Sequence, residues 1–236
     1  MRLWNSETGD LVKEFGSPNL GISKIAASPK HPRTLVVAIA KALYLWDVGT
    51  GRATPFLDTG HTKETTSLAF SPDGSKLLTA SDDGLIGLWD FRTGRLEREF
   101  KGHTCSGASC GVSAIFSGDG KLVVSAGDDE TSRIFESATA RQLRSLRLLG
   151  SASNVALSPD GRHIAAPFDY IFGKDGLTGK RGIAVWDRSS GKQIGFLDTS
   201  KLYHGLNGLA FTPNGEKLVS VGLDDTLIVW DAKRDY

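Results

Sequence analysis

Three pairs of adjacent aspartates, Asp82-Asp83, Asp128-Asp129 and Asp224-Asp225, are the residues of this chain best suited by type to do chemistry. Two neighbouring carboxylates can share a proton as acid and base, or offer oxygen ligands to a metal ion. His31, His61, His103, His163 and His204 could serve as bases or ligands, and Cys105 and Cys110 could ligate, ionise or pair. The spacing speaks against these uses. No two histidines stand at i, i+4, no Cys-x-x-Cys occurs, and no Gly-rich phosphate loop or nucleophile-elbow pattern is present. Each Asp-Asp pair falls in the same kind of turn, SDDG, GDDE or LDDT. A catalytic pair is needed once, whereas recurrence in register is what a structural turn predicts. The expectation is therefore no catalytic residue, no metal and no cofactor. Cys105 and Cys110 read as two free thiols in a surface loop, with a loop disulfide or a metal site as alternatives.

The elements that carry these turns repeat. Trp4, Trp46, Trp89, Trp186 and Trp230, with Phe135 filling the gap, recur at intervals of 42, 43, 46, 51 and 44. SPKH, SPDG, SGDG, SPDG and TPNG run in phase, starting at Ser28, Ser71, Ser117, Ser158 and Thr212. Each unit reads as a short strand, a Pro-Asp-Gly-type turn, an apolar strand, the Asp turn, a strand ending in Trp-Asp, a Gly turn and a last strand. Nothing keeps a helical period. Such a four-stranded antiparallel sheet can bury both its faces only against copies of itself, which gives radial blades. The units run approximately 1–15 (partial), 16–58, 59–100, 101–147, 148–198 and 199–236, forming one all-β propeller domain. Five blades can be counted, plus a surplus N-terminal strand. In a five-blade ring, GDLVKEF would pair beside TLIVW and leave MRLW over. The other expectation, and the favoured one, is a piece of a longer chain.

The bulk numbers fit. With 28 basic and 27 acidic side chains in 236 residues, the formal net charge is +1, which gives no clustered excess for nucleic acid or a membrane surface. The N-terminus has no long apolar segment after its Arg, and a cytoplasmic location is the default.

The Trp-Asp dipeptides at Trp46, Trp89, Trp186 and Trp230, with Gly102-His103 and Gly60-His61, resemble the WD-repeat β-propeller family over essentially the whole chain. The regular FSPDGSKLLTASDDGLIGLWDFRTGRLEREF further resembles its bacterial members. The resemblance implies a buried hydrogen-bond chain in each unit, running His to Asp to Ser or Thr to the Trp ring. In unit two these are His61, Asp83, Ser81 and Trp89, with Asp82 a solvated turn carboxylate. Unit three keeps His103 and Asp129 but has Gly127 and Phe135, so its chain ends early. Unit five keeps Asp224 and Trp230 but has Gly222, and His204 is a candidate network His. Unit one has Ala38 and Ala40 at the Ser and Asp positions, so Trp46 must find another partner or stay partly exposed.

Two irregularities break the repeat, HTCSGASCGVS before unit three's first strand and DYIFGKDGLTGKRG inside unit four. The resemblance implies that both lie on one face of the disc. Tyr170, Ile171 and Phe172 offer apolar anchors, and Lys174, Lys180 and Arg181 a basic rim, for a protein partner. The expected function is a non-catalytic protein-interaction scaffold, a binding or regulatory module of a larger protein or complex. The alternative is a small-ligand-binding or hydrolytic propeller acting at the central channel. Self-association is expected only if the ring is open.

Overall fold

A computed structural model describes residues 2–5, 7–15, 21–105, 109–148, 150–169, 181–199 and 206–232. Among them are twenty-one strands and no helix. Blade one comprises β3 (Ile22–Ala27), β4 (Thr34–Ile39), β5 (Ala42–Asp47) and β6 (Ala53–Asp58), after an N-terminal sheet of β1 (Arg2–Trp4) and β2 (Leu11–Glu14). Blade two is β7 (Thr65–Phe70), β8 (Lys76–Ser81), β9 (Ile86–Asp90) and β10 (Leu96–Phe100). Blade three is β11 (Ser113–Phe116), β12 (Leu122–Gly127), β13 (Thr131–Glu136) and β14 (Gln142–Arg147). Blade four is β15 (Ala156–Leu157), β16 (His163–Asp169), β17 (Arg181–Asp187) and β18 (Gln193–Asp198). Blade five shows β19 (Leu206–Phe211), β20 (Lys217–Gly222) and β21 (Leu227–Asp231). The architecture is a five-blade β-propeller of antiparallel four-stranded blades, as the repeat predicts.

The turns form for local reasons. In SPDG, Ser71 Oγ donates to Asp73 Oδ1 at 2.6 Å, and the same carboxylate accepts the Ser75 amide at 3.0 Å. Ser117–Asp119 and Ser158–Asp160 repeat the geometry, each at 2.6 Å. An Asx turn of this kind fixes the hairpin without help from the rest of the fold. Blade four departs from the plan at β15, which pairs only two residues with β16. Pro167 lies in β16 where that ladder would continue, and it has no N–H to give.

Blades pack by one rule. The strand-c aromatic of each blade faces the preceding blade and sits against aliphatic residues there. Trp89 meets Val36, Ala38 and Leu43. Phe135 meets Leu78, Ala80, Ile86 and Leu88. Trp186 meets Val124, Ala126 and Ile134, and Trp230 meets Ala165, Ile183 and Val185. Trp46 meets Phe15 at the end of the N-terminal sheet, edge-on at 5.9 Å. Burying a side chain of this class contributes about 1.5–3 kcal/mol. These interfaces therefore hold the blades in sequence.

The N-terminal surplus is two strands rather than one. β1 pairs with β2 as a separate sheet packed on blade one, and β2 does not add to β21. The closure expected of a five-blade ring through GDLVKEF is not made among the described strands.

Candidate functional site

In blade two the polar chain is continuous but one residue differs from expectation. His61 Nδ1 lies 3.1 Å from Asp83 Oδ2, and His61 Nε2 lies 2.9 Å from Thr79 Oγ1. The Trp89 indole N–H donates to that same Thr79 oxygen at 3.0 Å. Directions close when His61 carries its proton on Nδ1: the indole donates to Thr79, Thr79 to Nε2, and Nδ1–H to the carboxylate. The hydroxyl is therefore Thr79, and Ser81 stands outside the chain. Ser81 Oγ accepts the Asp83 amide at 3.1 Å and reaches Lys63 O at 3.3 Å. Register decides between them. Leu77 pairs with Trp89 and Thr79 with Gly87, which brings the Thr79 hydroxyl beneath the indole, two residues nearer than Ser81. Gly87 leaves the room, since a Cβ there would stand 2.7 Å from Trp89 Nε1.

The same shift corrects the other blades. In blade three His103 Nδ1 meets Asp129 Oδ1 at 2.9 Å and Nε2 meets Ser125 Oγ at 2.7 Å, so Ser125 and not Gly127 holds the hydroxyl position. The chain stops there because Phe135 has no N–H. In blade five Trp230 Nε1 donates to Ser220 Oγ at 2.9 Å, not to position 222, and Asp224 accepts from Thr226 at 2.5 Å. His204 lies outside the described residues. In blade one the register-equivalent residue is Val37, not Ala38, because Leu35 pairs with Trp46. Trp46 is neither exposed nor partnered: its ring nitrogen is buried with no hydrogen bond.

Burial works to raise both network carboxyls and is outweighed. The amides of Leu85 and Thr62, with His61, hold Asp83 below its ordinary range. Hydrogen bonds from His103 and Thr131 do the same for Asp129, more strongly.

The first aspartate of each pair behaves differently. Asp82 is not simply solvated. Its Oδ1 accepts Ser109 Oγ at 2.6 Å and the Gly111 amide at 3.1 Å, and its carbonyl accepts the Cys110 amide at 3.1 Å. The turn of blade two thereby clasps the loop that opens blade three. Cys105 and Cys110 in that loop are joined as a disulfide, with Cα atoms 4.5 Å apart, so they are not free thiols. The bond packs on Gly84, where an added Cβ would come within 3.1 Å of Cys110 Sγ. Asp128 continues the pattern, its amide donating to Cys110 O at 2.9 Å. Burial, then the charges of Asp82 and Asp129, raise its carboxyl above the ordinary value.

A raised carboxyl beside an ionised one is the electrostatic pattern of an acid–base pair. Here its neighbours are already committed. Asp82 is tied to the loop, and both ring nitrogens of His61 and His103 are engaged inside their blades. Among the described residues, no group of three or more His, Cys, Asp or Glu side chains is placed to hold a metal.

The Asp82 clasp also shows that the Asp turns and the loops between blades share one face. On that face, Arg181 opens β17 half-buried, opposite Asp169 in the ladder, and its carbonyl accepts the Thr199 amide at 3.0 Å. Tyr170, Ile171, Phe172, Lys174 and Lys180 lie outside the described residues.

Comparison with known proteins accords with this geometry. The family model described as "WD domain, G-beta repeat" matches residues 54–90, 94–136 and 194–231. The chain is similar to nuclear distribution protein PAC1-2 of Uncinocarpus reesii, 30% identical over 73% of this chain and 40% of that protein. It is similar to autophagy-related protein 16 of Arabidopsis thaliana, 23% identical over 84% of this chain and 45% of the relative. It also resembles protein ROOT INITIATION DEFECTIVE 3 of Arabidopsis thaliana, 25% identical over 90% of this chain and 49% of that protein. The chain spans about half the length of these relatives. They are eukaryotic, and the bacterial flavour expected from the sequence finds no support in them.

Proposed function

The chain belongs to the WD-repeat family, and from that premise we propose that it is a non-catalytic scaffold that docks a protein partner on the loop-bearing face of its propeller. The observation that carries this reading is where the polar residues are spent. The histidines and aspartates that could do chemistry lock turns and adjoining blades together. What they hold in place is the frame of the face on which Asp169 and Arg181 flank the long departure from the repeat. Rigid frameworks with irregular loops are the usual form of a recognition surface. Tyr170, Ile171 and Phe172 supply anchors of the kind that dominate interfaces, and Lys174, Lys180 and Arg181 a rim that favours an acidic partner. The even charge balance supports a protein rather than nucleic acid as that partner.

The test is to replace Asp169–Gly182 with a short turn like that of blade two and compare captured partners by quantitative mass spectrometry. Partners held by the parent chain and lost by a shortened variant of equal melting temperature support the proposal. An identical partner set for both chains overturns it.

A cytoplasmic location is part of the same proposal, supported by a cysteine content far below that of small secreted modules. Among the described residues, no helix is long and apolar enough to cross a membrane. The Cys105–Cys110 bond supplies the check, because the cytosol keeps most such pairs reduced. Thiol trapping in intact cells is the test: a bond that the cell keeps open supports the cytoplasm, and a pair held oxidised, as it is in the structure, would move the protein to an oxidising compartment.

A further inference from the structure

We propose that the cleft between blades three and four, on the face opposite the Asp turns, binds the proline of an extended segment of a protein partner. The cleft is separate from the Asp169–Gly182 loop, and the proposal does not depend on the reading of that loop.

The turns of the Ser-Pro-Asp-Gly type close the other ends of the strands that the Asp turns join, so they lie on the opposite face. There they touch one another from blade to blade through one repeated contact. The proline of one turn packs on the glycine of the next blade's turn. A Cβ added to Gly74 would stand 3.1 Å from Pro29 Cγ, one on Gly120 3.4 Å from Pro72 Cδ, and one on Gly215 3.4 Å from Pro159 Cδ. Blade three breaks the series, because its turn reads SGDG, with Gly118 where the others carry proline. Gly161 of blade four is left bare: beyond its chain neighbours, a Cβ there would meet no atom of the described residues within 4 Å. The turn itself is not distorted. Ser117 Oγ donates to Asp119 at 2.6 Å and the Gly120 amide to Ser117 O at 2.8 Å, the distances of the matching bonds at Ser71, Asp73 and Gly74. What is missing is one pyrrolidine ring.

The gap belongs to a cleft of about 270 Å³ whose lining includes Gly118, Asp119, Leu122, Pro159, Gly161 and Arg188. That is below the roughly 300–1,000 Å³ of a pocket for a drug-sized ligand, and it suits one ring with its flanking peptide groups. The occupant follows from the molecule's own junctions, three of which set a proline ring on the equivalent glycine. Arg188 supplies the polar half of the site. Its Nε donates to Gly161 O at 2.5 Å, while its Nη groups make no hydrogen bond among the described residues and can donate to a peptide carbonyl. In blade three the corresponding Ser137 makes the same bond to Gly120 O at 2.7 Å but brings no guanidinium. A proline segment in the polyproline II form has no internal hydrogen bonds, so its carbonyls are open to such a donor, and it loses little freedom on docking. Asp119 and Asp160 on the rim are balanced by Lys121 and Arg188, so shape rather than net charge selects the occupant.

The test is a nitrogen-15 NMR titration of the 236-residue chain with acetyl-Ala-Ala-Pro-Ala-Ala-amide, and with the same peptide carrying Ala in place of Pro. The proline peptide should shift the Gly161 amide and the Arg188 Nε–H saturably and leave Gly120, which already carries Pro72, unmoved. The alanine peptide, lacking the ring, should bind on the order of tenfold more weakly. Gly118→Pro restores the repeat at a position whose amide makes no hydrogen bond among the described residues and whose φ is outside the left-handed region. It should abolish the shifts while the melting temperature stays level or rises. Gly118→Val fills the slot without fixing φ and should abolish them too, which keeps the test decisive if the proline variant does not fold. The absence of a saturable shift at Gly161 overturns the proposal. So does equal binding of the two peptides, or binding that survives in a folded Gly118→Pro or Gly118→Val chain.

Discussion

Replacing Thr79 with Val changes one hydroxyl to a methyl at constant shape, yet it removes the oxygen on which two buried groups converge. The Trp89 indole N–H loses its acceptor at 3.0 Å, and His61 Nε2 loses its donor at 2.9 Å. An unsatisfied buried polar group costs about 1–3 kcal/mol. The new methyl returns somewhat under ~1 kcal/mol of burial. The expected net loss is about 3 kcal/mol. Ser81→Ala is the control, two residues along the same strand and also buried. It removes only the bonds to the Asp83 amide and to Lys63 O, at 3.1 and 3.3 Å, and should cost about 1 kcal/mol. Urea titrations followed by far-ultraviolet circular dichroism measure both. A Trp89→Phe background adds a second constraint, because Thr79→Val should then cost less by about 1 kcal/mol, one of its two stranded groups being gone. Equal costs for Thr79→Val and Ser81→Ala, or full additivity with Trp89→Phe, would refute the assignment of Thr79 as the centre of the network.

The orphaned ring nitrogen of Trp46 predicts a gain: Val37→Thr places a hydroxyl at the register that Thr79 occupies and should raise stability by about 1 kcal/mol, and an unchanged or lower denaturation midpoint would contradict it. Asp129 has a folded pKa below its unfolded value of about 3.9, so its contribution is present above that pH and fades as pH falls through the folded value. Asp129→Asn should accordingly lower the melting temperature most at neutral pH, with the gap to the parent closing in acid; a gap independent of pH would rule this out. Reducing Cys105–Cys110 frees a loop of six residues and should cost about 2 kcal/mol by loop entropy, read as the shift in urea midpoint with and without dithiothreitol.

The blade plan was legible because its signals are local. An Asx turn at Ser71–Asp73 is made by residues two apart, and alternation across Lys76–Ser81 needs only the strand period. The polar network was half legible. His61 to Asp83 and His103 to Asp129 follow from the repeat, but the hydroxyl between ring and indole depends on cross-strand register, which the hairpin sets. Thr79, Ser125 and Ser220 all stand ten residues before their aromatic, and that constant spacing was the usable signal. Blade one hides it, since its β4–β5 hairpin is a residue shorter and moves the position to Val37. The Asp82 clasp could not be read from one unit, because its partners Ser109 and Gly111 belong to the next. The Cys105–Cys110 bond depends on a loop conformation that five residues of sequence separation leave open.

The central claim separates what holds the blades from what binds, and one comparison tests it most directly. Partner capture by Asp83→Asn protein, at a temperature where circular dichroism shows it folded, should match the parent chain even though its melting temperature is lower. Loss of the partners by the folded Asp83→Asn chain would contradict the account and would place that carboxylate in the working site rather than in the frame.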